Sequence, residues 1–137
     1  MLGALAVGSV VAVGSAVGIA WALGASKTTL LSIAPKSVTA PIAMGIAEKL
    51  GGLPSLTAVL VVSTGIIGAV LGKYVLDALA IRDWSVRGFA VGLAAHGIGT
   101  ARAFQVGEEA GAFAGLAMGL TGLATAALFP VAVWLVL

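Results

Sequence analysis

Apolar positions in this chain do not alternate with polar ones; they run together. Three stretches, roughly 2–25, 54–76 and 110–137, stay apolar long enough to cross the hydrocarbon core of a bilayer, which takes about 20 residues at 1.5 Å rise per residue. The first and third hold no charge between their ends, and the second meets none before Lys73. Each predicts a membrane helix. Two more segments, 28–48 and 87–107, are also mostly apolar but carry breakers, hydroxyls and charge at their centres. In the first, Pro35 and Pro41 bracket Lys36-Ser37-Val38-Thr39-Ala40 and remove backbone donors. In the second, Gly97 and Gly99 loosen the backbone between His96 and Thr100-Ala101-Arg102. The pattern therefore predicts an all-α, polytopic membrane protein forming a single transmembrane domain over 1–137, with about five membrane segments of which two are interrupted or re-entrant.

The two interrupted segments correspond to each other at a shift of 60 residues without gaps. Lys27 falls on Arg87, Lys36 on His96 and Glu48 on Glu108, alongside Ala, Gly and Leu matches that are cheap in such a composition. Paired interrupted segments of this kind point to an internal repeat. Two topologies fit. If all five segments cross, Lys27, Arg82 and Arg87 share one side, and the positive-inside bias puts the C-terminus in the cytoplasm, with Trp21, Tyr74, Trp84 and Trp134 at that interface. If the interrupted segments are hairpins, arms of about ten residues reach the midplane at about 15 Å from opposite faces. Crossing is the expectation, with re-entry kept open.

Composition agrees with lipid as the solvent: 61% of the 137 residues are hydrophobic and 9% charged, against roughly 25% charged in soluble domains. Seven Lys plus Arg against five Asp plus Glu give +2, too small and scattered for a nucleic-acid surface. The absence of Cys and the single His argue against a metal centre, and no cofactor is expected. Residues 1–24 carry no positively charged leader region and read as a mature helix, not a signal peptide. No Walker lysine follows a glycine-rich stretch, and the Gly97/Gly99 pair lacks a third glycine at dinucleotide-fold spacing. An enzyme is not expected.

Lys36, His96 and Arg102 fall in segments predicted at membrane depth, where an ionised side chain costs roughly 2.5–3.5 kcal/mol on insertion scales. An anion site would repay that cost. Broken helices expose backbone N–H groups that attract a carboxylate, the cations supply net charge, and Ser37, Thr39 and Thr100 add hydroxyl donors. The bland readings are snorkelling for Lys36 and Arg102 and a structural hydrogen bond for His96. Glu48 and Glu108 close the interrupted segments as candidate coupling groups, although interface carboxylates are usually solvated. Lys73 and Asp77 are spaced for an i,i+4 pair. Small residues at four-residue spacing, above all Gly111, Gly115 and Gly119, offer a face for close helix packing, so a homo-oligomer is expected.

The run Pro35-Lys36-Ser37-Val38-Thr39-Ala40-Pro41-Ile42-Ala43-Met44, then Gly51-Gly52 and Thr64-Gly65-Ile66-Ile67-Gly68-Ala69, closely resembles the first signature of the LrgB/CidB family. The run Ala95-His96-Gly97-Ile98-Gly99-Thr100-Ala101-Arg102-Ala103, with Glu108, Gly111-Ala112 and Pro130, resembles the second. Ala40 stands where a threonine is expected. The resemblance is to the C-terminal portion of that family. It implies a multi-pass protein of the bacterial inner membrane, related to plastid glycolate/glycerate translocators, that moves a small monocarboxylate such as glycolate, glycerate or pyruvate by alternating access. As the alternative it implies a holin-like or antiholin-like membrane protein, modulating murein hydrolase export and lysis with an LrgA/CidA-type membrane partner. On the first reading Lys36, Ser37, Thr39, His96, Gly97, Gly99, Thr100 and Arg102 contact the anion.

Overall fold

The computed structural model describes the backbone of residues 1–136 and the side chains of residues 1–128; Pro130 and Trp134 lie outside the described side chains. All described secondary structure is helical: α1 (Leu2–Ala22), α2 (Lys27–Ile33), α3 (Ala40–Leu50), α4 (Pro54–Ala78), α5 (Trp84–Val106) and α6 (Glu108–Val136). Three helices are long and apolar enough to cross a membrane, Leu2–Ala22, Pro54–Ala78 and Glu108–Leu128 within α6. They fall on the three long apolar stretches of the sequence. Local signals set the boundaries. Ser26 caps α2 by accepting from Thr29 N–H, Pro41 and Pro54 sit in the first turns of α3 and α4, where a missing N–H costs nothing, and Gly51 ends α3 at φ 83°. Asp83 caps α5; its hydrogen bonds from the Ser85 hydroxyl and the Val86 N–H hold its carboxyl below the usual range.

Both interrupted segments double back. In α5, His96 at φ 39°, ψ −130° separates two helical arms, 84–95 and 97–106. In one straight helix Val91 and Gly99 would stand about 12 Å apart. Here a Cβ on Gly99 would press on the Val91 side chain and carbonyl. The first arm runs alongside α6 in the same direction, Gly88 against Ala110 and Gly92 against Ala114. The second returns against it, Thr100 facing Met118 and Phe104 covering Gly111. In the first segment the chain leaves α2, turns through 34–39 and comes back along α3, so that Gly52 abuts Ser32. Ser32 fixes that return. Its Oγ accepts the Leu53 N–H at 2.8 Å and its carbonyl accepts the Thr57 hydroxyl at 2.9 Å. The 60-residue shift carries the pair Ser32–Leu53 onto Gly92–Phe113, next to the observed contact of Gly92 with Ala114.

Each interrupted segment thus runs as a pair of arms, and the pairing decides at which end of the bundle each helix terminus lies. α1 runs in the direction of the first α5 arm, with Leu5 on Phe89 and Gly8 on Leu93. Its end at Trp21, and Lys27 beyond it, therefore lie at the opposite end of the bundle from Tyr74, Trp84 and Arg87. The expected grouping of Trp21 with Tyr74 and Trp84 does not hold. Nor does the Lys73–Asp77 pair: Asp77 takes the Arg87 guanidinium at 2.7 Å instead, while the Arg87 plane stacks over Trp84. An ion pair bridging α4 and α5 replaces one along a single helix.

Glycine spacing is used for packing within the chain. A Cβ at Gly88 or Gly92 would enter the backbone of Ala110 or Ala114, and one at Gly68 would meet the Ala95 methyl. Gly111 faces the Phe104 ring, whereas Gly119 has open space. Gly92→Val should therefore destabilise the α5–α6 contact by about 1–3 kcal/mol or more, and Gly119→Val should leave it intact. Thermal unfolding of the two variants in detergent micelles measures the difference, and equal loss in both would contradict this packing.

Candidate functional site

The two reversals converge on Val61 of α4. Val38, at the end of the first turn, packs against Val61 with Ala43, and the His96 ring nitrogen Nε2 lies 2.9 Å from the Val61 carbonyl. A carbonyl oxygen only accepts, so Nε2 carries the proton, and when the ring is neutral Nδ1 is left as an acceptor. Gly65 makes this reach possible, because a Cβ there would collide with the His96 ring and with Ile98. His96 itself holds a positive φ, a conformation costing about 1–3 kcal/mol in a non-glycine residue. The hydrogen bond to α4 and the burial of the residue, which is 4% exposed, keep it there.

Lys36 sits at the other reversal, half-buried, with Nζ donating to Ser37 Oγ at 3.3 Å. The turn is held by the Lys36 N–H to Ile33 carbonyl and Val38 N–H to Pro35 carbonyl bonds, with Pro35 buried inside it and Pro41 exposed in the first turn of α3. Thr39 is the N-cap of α3 but makes no side-chain cap, which leaves its hydroxyl uncommitted. Ser37 is buried. Val61 thus stands between the turn that carries Lys36, Ser37 and Thr39 and the His96 ring.

The remaining expected residues divide. Thr100 is buried one turn beyond His96 and turns its hydroxyl to the Met118 sulfur at 3.8 Å. Gly97 lies near that same sulfur, and Gly99 is consumed by the contact of the two α5 arms. Arg102 is not at the reversal. Six residues along the returning arm carry it about 9 Å away, where it is exposed and donates to Gln105 at 3.0 Å. It lines a cavity of about 260 Å³ with Lys73, Asp77, Trp84 and Arg87. Glu48 and Glu108 are exposed at helix ends, away from Val61. Among the described residues no group of His, Asp and Glu could hold a metal ion.

Hydroxyls from other helices complete the first reversal. A cavity of about 10 Å³, the size of one water, is bounded by Ser9 and Val13 of α1, Pro35 and Ser37 of the turn, Leu93, and Thr121 and Thr125 of α6. Ser9 Oγ is buried without a hydrogen-bond partner. A serine inside an apolar helix gave no signal in the sequence; it is visible only once α1 is laid against the turn.

Residues 1–135 match the LrgB-like family. The chain is 39% identical over 135 residues to the uncharacterised protein YxaC of Bacillus subtilis, covering 98% of this chain and 59% of that protein. It is 35% identical over 112 residues to the holin-like protein CidB of Staphylococcus epidermidis, covering 82% and 49%, and 33% identical over 114 residues to the holin-like protein CidB of Staphylococcus aureus, covering 83% and 50%. The chain spans about half the length of the curated relatives it matches. No solved structure matches it.

Ser32 anchors the first reversal from a position with no exposure. Ser32→Ala leaves the Leu53 N–H without its acceptor and is expected to cost about 1–3 kcal/mol. Gly65→Val should displace the His96 ring from Val61, which the loss of the shifted Nε2–H resonance in histidine-selective NMR would register. A resonance unchanged from the unsubstituted chain would contradict the contact.

Proposed function

The chain belongs to the LrgB-like family, and from that premise we propose that it moves a small monocarboxylate anion, of the glycolate, glycerate or pyruvate class, across the plasma membrane by alternating access. The observation that carries the reading is the convergence of two helix reversals on Val61 with Lys36, Ser37 and His96 between them. Reversals inside a bilayer are tolerated where protein covers them or where they line a polar path. A cation there needs a partner, and a transported carboxylate supplies one. Lys36 is the attracting charge, Ser37, Thr39 and the start of α3 are donors to the carboxylate oxygens, and His96 contributes its free ring nitrogen. The cavity at the first reversal holds about 10 Å³, so a two- or three-carbon anion enters only when the reversals part. That parting is the movement alternating access requires.

In this reading α1, α4 and α6 span the bilayer, and the α2–α3 and α5 hairpins enter it from opposite faces as inverted repeats. Lys73, Arg82, Arg87 and Arg102 lie toward the α4–α5 loop, and Lys27 and Lys49 toward the other face. The positive-inside bias then puts the α4–α5 loop in the cytoplasm. The relatives named holin-like proteins favour a second reading, a membrane protein that permeabilises the bilayer or acts with an LrgA/CidA-type partner. It predicts leak without saturation by any one solute. A homo-oligomer fits both readings.

Two experiments test the proposal. In liposomes, uptake of radiolabelled pyruvate or glycolate should saturate; Lys36→Ala should reduce it below about a tenth, and His96→Ala should weaken it, with Leu56→Ala as the control for folding. Normal uptake in both variants, or unsaturable leak of unrelated solutes, would overturn the carboxylate reading. Separately, because the chain has no native Cys, single cysteines at Lys27 and Lys49 can be labelled from outside intact vesicles. Both should react from the same side; opposite reactivity would mean that 28–48 crosses.

A further inference from the structure

The basic cavity that holds Arg102 shares no lining residue with the turn at Lys36 or with His96. It lies between α4, both arms of α5 and the start of α6, encloses about 260 Å³, and carries Lys73, Arg87 and Arg102 against the carboxylate of Asp77. These charges are not equivalent. Arg87 is committed: its side chain is 11% exposed, paired with Asp77 at 2.7 Å, bonded to the Ile81 carbonyl at 2.8 Å and stacked on Trp84. Arg102 donates only to the neutral amide of Gln105, and Lys73 is exposed on α4. The cavity thus has a fixed floor and two cations available to an incoming anion. Its walls otherwise are apolar. Its inner end is Gly68, which sits against Ala95, the residue before His96; one turn back along α4 is Gly65, against the His96 ring itself.

We propose that this cavity is a second anion-binding site, the vestibule in which a small carboxylate is held by Arg102 and Lys73 before it reaches the reversals. The apolar walls take the short carbon chain and the cations take the head. This rests on the carboxylate reading of the Lys36–His96 site. It gives Arg102 the role of concentrating substrate at the entrance, and it makes Trp84, which lines the same cavity, a reporter of occupancy. Attraction at an entrance affects apparent affinity from one side of the membrane and leaves the maximal rate to the inner site.

The test uses the full chain with Trp21→Phe and Trp134→Phe, so that Trp84 alone fluoresces. Pyruvate titrated at constant ionic strength into the protein in neutral-lipid nanodiscs should change Trp84 emission saturably, and Arg102→Gln should weaken the apparent affinity at least tenfold, as should Lys73→Gln. In liposomes Arg102→Gln should raise KM about tenfold for uptake from the α4–α5 side while the maximal rate is retained. A Trp84 response to phosphatidylglycerol but not to pyruvate would make this a lipid-headgroup site and overturn the vestibule. So would no response to either, or a wild-type affinity in both variants. If pyruvate binds at Trp84 yet wild-type protein shows no uptake, the transport reading fails while the anion site stands. Saturable uptake with a silent Trp84 sinks the vestibule alone.

Discussion

Backbone proximity at Gly65, Gly68, Gly88 and Gly92 is the constraint from which the rest of this structure follows. In lipid there is no hydrophobic drive between helices, so association depends on contact area, and contact area depends on how closely the main chains approach. Gly88 and Gly92 let the first arm of α5 lie directly on the backbone of Ala110 and Ala114. With that arm seated, the returning arm packs beside it on the adjacent face of α6, where Ala103 meets Ala110 and Ala114 and Phe104 closes over Gly111. Gly68 and Gly65 then bring α4 onto the top of the hairpin, where the His96 ring finds the Val61 carbonyl. A side chain at any of these positions would hold the reversals apart.

The same closeness explains why polar groups are tolerated at the centre. A helix reversal leaves backbone groups without helical partners, which is costly wherever lipid could touch them. Here one reversal is covered by α1, α6 and Leu93, and the other by α4. Side chains do the remaining work: Ser32 takes the Leu53 N–H, Thr57 returns a hydrogen bond to the Ser32 carbonyl, and Ser37 takes the Lys36 ammonium. Few of the described groups are left over, and Ser9 Oγ, buried without a partner, faces the cavity at the first reversal.

Residue pattern alone made the three long helices legible, because an uninterrupted apolar run admits few other readings. It also located both breaks, at the Pro35–Pro41 and His96–Gly99 segments. It could not say whether the chain bends or reverses there, since glycine beside histidine permits either and the decision lies in long-range contacts such as Gly88 on Ala110. Arg102 shows the consequence. By sequence it is close to His96, but along a returning arm six residues lead away from the centre and toward Arg87. Lys73 and Asp77 were matched by helical spacing, yet the reversal presented Arg87 to Asp77 in a better geometry. Ser9 and Ser32 carried no signal, because hydroxyls in apolar helices are common and their partners lie on other elements.

The central claim is that the segment around His96 folds back on itself between Trp84 and Val106 instead of running on as one straight helix. Nitroxide labels at the exposed positions Val86 and Gln105, introduced as cysteines into the Cys-free chain and read by electron paramagnetic resonance in lipid vesicles, test it most directly. Adjacent helical arms stand about 8–10 Å apart, so the account predicts a short distance, below about 20 Å once the label arms are included. A straight helix would separate the two backbones by about 28 Å, and a distribution centred there would contradict it.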